Sequence, residues 1–119
     1  MSRSGDRAGG SGANESDTRI VFVTAPDDGI AERIGRAIVE ENLAACVNLL
    51  PRVRSIYRWQ GVVEEASEIL MLVKTTAMRV DALRARIVEL HPYEVPEFLA
   101  VDVTSGFKPY LDWIRESTM

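Results

Sequence analysis

The sequence predicts one α+β domain, and three observations carry that expectation. Short runs rich in β-branched and aromatic residues recur at Ile20–Thr24, Ser55–Trp59, Glu68–Thr75 and Phe98–Val103. Two amphipathic helical stripes fall between them, at Ile30–Ile38 and Val80–Leu90. The chain has 119 residues, of which 46% are apolar and 27% charged, which suits a single globular unit with its own core.

Residues 1–17 are Gly, Ser, Asn and charged residues with almost nothing apolar. Burial cannot offset the entropy of ordering such a segment, so a flexible extension is expected before a domain spanning 18–119. Ile20-Val21-Phe22-Val23-Thr24 then reads as a strand with apolar residues on both faces, as in the centre of a sheet. Pro26-Asp27-Asp28 marks a helix start, because Asp accepts from free N–H groups and suits the positive helix end. Ile30, Ile34 and Ile38, flanked by Ala31 and Ala37, form one stripe, and the helix runs to about Glu41. Gly35 within it costs about 1 kcal/mol relative to Ala and suits close packing on the sheet.

Leu43 to Leu50 is the second strand. Pro51 lacks a ladder N–H and implies a bend, bulge or edge there, with pairing resuming from Val53 to Val63. Two sites could turn this strand back: Gln60-Gly61 and Glu64-Glu65-Ala66-Ser67. The second is preferred, since Val62-Val63 continue the strand pattern and leave Gly61 as a bulge. The return strand is Glu68 to Thr75. Ile69, Met71 and Val73 point one way, Leu70, Leu72 and Lys74 the other, so both faces want cover. Thr76 is a candidate cap for a helix carrying Val80, Leu83, Ile87 and Leu90 on one side. The prolines of His91-Pro92-Tyr93-Glu94-Val95-Pro96 enforce an extended loop. Phe98–Val103 is the last strand, and Pro109 opens a short helix docked by Tyr110, Leu111, Trp113 and Ile114.

The order β-α-β-β-α-β plus a terminal helix is the ferredoxin-like pattern, with a long hairpin between the second and third strands. Two helices cover one face of its sheet. The other face carries large apolar groups of a kind that monomers seldom expose in quantity. A second copy of the chain is the simplest cover, and a closed ring would also pair exposed strand edges.

Composition narrows the function. The net charge is −4; Arg3 and Arg7 against Asp6, Glu15 and Asp17 leave −3 for the rest. No basic block is present, which argues against a nucleic-acid partner. No apolar run approaches the length of a bilayer span, and the N-terminus lacks a secretory apolar core, so no membrane partner is expected and the cytoplasm is the default location. No GxSxG, HExxH, Walker or Rossmann pattern marks an enzyme.

One cysteine and one histidine stand out. Cys46, in an apolar strand, is either a small buried hydrophobe or a soft ligand that would bind copper or another thiophilic ion as thiolate. His91, where a helix ends, is either a cap at the negative helix end or a metal ligand. The two alone do not make a tetrahedral site, but a ring of subunits multiplies each ligand. Met71 and Met78 could add thioether contacts, though such residues usually fill cores. Tyr57, Trp59, Lys74, Tyr93 and Glu97 mix aromatics with charge around the expected interface or cleft.

Six stretches read together resemble the CutA family of divalent-cation tolerance proteins: Thr24-Ala25-Pro26-Asp27, Leu43-Ala44-Ala45-Cys46-Val47-Asn48, Ser55-Ile56-Tyr57-Arg58-Trp59-Gln60-Gly61, Val73-Lys74-Thr75, His91-Pro92-Tyr93-Glu94-Val95-Pro96-Glu97 and Tyr110-Leu111-Asp112-Trp113-Ile114. The resemblance runs from about Arg19 to Ile114. It implies a ferredoxin-like subunit, a homotrimer built like the PII signalling proteins with long hairpins wrapping neighbours, and a role in the response to divalent metal ions; with no catalytic motif present, a non-enzymatic one is expected. It also implies copper binding, with Cys46 and His91 the matching candidate ligands. The alternative is a PII-like sensor binding a small molecule between subunits. Two departures show: Ala100-Val101-Asp102-Val103 lacks the family's usual proline near Asp102, and Cys46 is the only cysteine where some members hold more.

Overall fold

A computed structural model describes residues 17–119. The extension expected at residues 1–17 lies outside the described residues except for Asp17.

Strand β1 spans Thr18–Ala25, helix α1 Asp28–Glu40, β2 Cys46–Trp59 and β3 Val62–Thr76. A 3₁₀ turn at Ala77–Arg79 leads into α2, Val80–Leu90, followed by β4, Leu99–Asp102, and α3, Lys108–Ser117. The four strands form one sheet in the order β2-β3-β1-β4, with every pairing antiparallel. This is the ferredoxin-like α+β arrangement that the element order predicts.

Register explains the core. Val21 pairs with Val73, Val23 with Met71 and Ala25 with Ile69, so these six share one face. Ala31, Ile34 and Ile38 of α1 and Leu83 and Ile87 of α2 close over that face and are fully buried with it. Asp27 caps α1 as expected, accepting the Ile30 N–H at 2.9 Å. Gly35 is buried where a Cβ would sit 3.8 Å from Val47, so the helix lies close on the sheet. Thr76 does not cap the helix after it. Its hydroxyl instead lies 3.3 Å from that of Thr118, at the end of α3. In α3, Leu111 and Ile114 are buried, Trp113 is half-buried and Tyr110 is exposed.

On the opposite face Ile20 pairs with Lys74, Phe22 with Leu72 and Thr24 with Leu70, while Cys46 extends the Lys74 row into β2. Strand β2 is an edge, and its ladder shifts between Leu50 and Val53, where Arg52 has φ 62°. The irregularity predicted at Pro51 is therefore an edge-strand bulge.

The hairpin turn corrects the preferred expectation. The chain reverses at Gln60-Gly61, with φ 50° and 83°, between Trp59 and Val62. Two successive positive φ angles are the signature of the twist-matched two-residue turn. Glu64 and Glu65 are strand residues opposite Tyr57 and Ile56, and Gly61 is the turn itself rather than a bulge. The acids are held in the strand by cross-strand partners: Glu65 pairs with Arg54 at 2.6 Å. With β3 at 15 residues, the hairpin is about 50 Å long and accounts for the molecule's 52 × 26 × 24 Å extents.

Candidate functional site

A cleft of about 600 Å³ lies between the hairpin and the loop after α2. The loop is fixed first. His91 is 7% exposed, and its ring Nε2 lies 2.7 Å from the Thr24 carbonyl oxygen at the end of β1. A carbonyl only accepts, so Nε2 carries the proton. Nδ1 then holds the lone pair and accepts the Tyr93 backbone N–H at 3.1 Å. Both ring nitrogens are thus engaged with backbone, and the rings of His91 and Tyr93 lie 4.6 Å apart. The His91 backbone N–H also closes α2 on the Ile87 carbonyl.

This brings the Tyr93 hydroxyl to Glu68 of β3, where it donates to Oε2 at 2.6 Å. Glu68 is 7% exposed, an unusual place for a carboxylate. Burial and this bond to Glu68 push the Tyr93 phenol well above its ordinary range. Burial, then the Glu68 charge, raise the Glu97 carboxyl. Tyr57, with Glu64 beside it, is likewise raised, desolvation leading.

The cleft joins Tyr57, Trp59, Tyr93 and Glu97, four of the seven candidate residues. It adds three carboxylates that sequence reasoning missed, Glu64, Glu68 and Glu94, and it has no Lys or Arg among its described lining residues. The signal for Glu68 was an ionisable residue heading the apolar run Ile69–Val73. Lys74 is elsewhere: it donates to Asn48 Oδ1 and stands opposite Cys46 in the ladder.

Cys46 and His91 are not brought together within the described chain. Cys46 is a half-buried free thiol level with Ile20 through Lys74, whereas His91 holds Thr24. Four residues of strand separate those levels, about 13 Å along the sheet. Among the described residues, no three His, Cys, Asp or Glu side chains converge as a metal cluster.

Comparison with known proteins places these features. Residues 19–117 match the family model described as CutA1 divalent ion tolerance protein. The chain is 50% identical over 99 residues to the divalent-cation tolerance protein CutA of Thermus thermophilus, covering 83% of this chain and 96% of that protein. It is 47% identical over 111 residues to protein CutA of Mus musculus, covering 93% of this chain but only 63% of the mouse protein. The crystal structure of CutA from Xylella fastidiosa superposes with a TM-score of 0.86 at 47% identity, covering 87% of this chain and all of that one.

Proposed function

The chain belongs to the CutA1 divalent ion tolerance protein family, and on that premise we propose that it is a non-enzymatic, homotrimeric, copper-binding protein of the cell's response to divalent metal ions. The observation that carries this reading is the family match over residues 19–117, nearly all of the described residues. A trimer is supported by the exposed apolar hairpin, where Ile56, Val62 and Val63 are 67%, 57% and 60% exposed. The number three is what the family resemblance implies. The lone unpaired cysteine fits a cytoplasmic location, and no helix among the described residues is long and apolar enough to cross a membrane.

Cys46 is the first proposed ligand, because its thiol has no disulfide partner and lies half-buried on the sheet face away from the helices. His91 is the second. A metal reaching its lone pair at Nδ1 must displace the Tyr93 N–H. Since one protomer keeps the two residues apart, a site using both draws on neighbouring subunits.

Copper titration by calorimetry tests the site on wild type, Cys46→Ser, His91→Ala and the double variant. Losing a ligand should weaken binding by at least the roughly 10–100-fold seen when a ligand's supporting partner is lost. Equal affinity in wild type and the double variant would remove both residues from the site.

A further inference from the structure

Beyond metal tolerance, the geometry points to the cleft between the hairpin and the 91–97 loop as a binding site for a small organic cation, a primary ammonium or guanidinium group, anchored by Glu68. Four observations converge. First, the cleft's volume of about 600 Å³ suits a small molecule and far exceeds what a bare ion fills. Second, Tyr57, Trp59 and Tyr93 border it, and aromatic faces attract desolvated organic cations through their quadrupoles. Third, Glu64, Glu68, Glu94 and Glu97 border the same space with no Lys or Arg among the described lining residues. An anionic ligand would be repelled by that charge.

The fourth observation concerns Glu68 alone. It is 93% buried by its 7% exposure, and its Oε2 takes the Tyr93 hydroxyl. Its other oxygen, Oε1, meets no hydrogen-bond donor among the described residues. A buried carboxylate with a single neutral donor is left under-satisfied, and an ammonium or guanidinium N–H supplies the missing charge-assisted bond. A divalent metal fits less well. Among the described residues the carboxylates do not converge as a metal cluster, and the cleft is far larger than a bare ion fills.

The test uses the full chain in its native assembly, with 1,4-diaminobutane and guanidinium as probes. Uncharged 1,4-butanediol of the same length, magnesium chloride and sodium chloride at matched ionic strength are the controls. Calorimetry and thermal shift should show saturable binding and a rise in Tm with a cationic probe, and neither with the controls. Glu68→Gln should weaken that binding by about tenfold or more. Trp59→Ala, at a partly exposed hairpin position outside the core and with its light-scattering mass matched to wild type, should weaken it several-fold and serves if Glu68→Gln fails to fold. Binding of neither cation, equal effects from the diol or from magnesium, or unchanged affinity in the folded variants would overturn the inference. Because copper is absent from every arm, failure here leaves the copper reading standing, and failure of copper binding leaves this one standing.

Discussion

Glu97 shows how a single residue couples the cleft to pH. Its carboxyl is raised above its ordinary value first by burial and then by the charge of Glu68. The folded chain therefore holds this proton more tightly than the unfolded chain does. The contribution favours folding below the ordinary carboxylate range and is lost as pH rises through the raised value. Glu97→Gln should accordingly increase stability at pH 7 and have little effect near pH 3.5, as read by urea denaturation at the two pH values. A larger gain at the acid end would reverse the sign of the argument. Local pattern marks Glu68 only as the ionisable residue heading the apolar run Ile69–Val73. Its partner Tyr93 lies 25 positions away, so the bond that holds the carboxylate has no local signature.

Among the elements, the helices were the most legible. The Ile30, Ile34, Ile38 repeat and the Asp27 cap are local features, and each is realised where the spacing puts it. The hairpin turn was less so. Glu64-Glu65 has the polarity of a loop, and its strand character comes from Tyr57 and Arg54, seven and eleven positions away. Two glycines in these elements give opposite predictions. Gly61→Ala should cost about 1–2 kcal/mol, because φ 83° crowds a Cβ against the backbone. Gly35→Ala should stabilise by up to about 1 kcal/mol, because the helix gains propensity and the new methyl meets Val47 at an ordinary 3.8 Å. Thermal unfolding of both variants checks the pair, and the same sign of effect in both would contradict it.

For the whole molecule, assembly is the property that one chain's pattern implies without specifying. Periodicity in β3 indicated that both faces want cover, and the helices are seen to cover one. What covers the other depends on surfaces with no local sequence signature. The apolar hairpin gives the handle. Replacing Ile56 and Val63 together with Asp should shift light-scattering mass from trimer towards monomer, while circular dichroism stays that of a folded domain, since neither residue belongs to the core cluster. A wild-type chain that scatters as a monomer at micromolar concentration would remove the case for a trimer. The candidate site is spread in the same way: its walls come from β1, both arms of the hairpin and the loop, so sequence order scatters what the fold collects.

The register of the sheet also ranks its ladders by what they demand of an unfolded chain. Strands β2 and β3 meet across a two-residue turn, so each rung brings together residues whose neighbours are already joined. Strand β4 has four residues, pairs among the described strands with β1, and joins Arg19 to Asp102 across most of the chain. Closing that span loses far more chain freedom than zipping the hairpin, and only four rungs offset the loss. The long hairpin is thus the part of the sheet that forms with the least searching, and the β1–β4 seam is the part that must wait for everything between its strands to be in place.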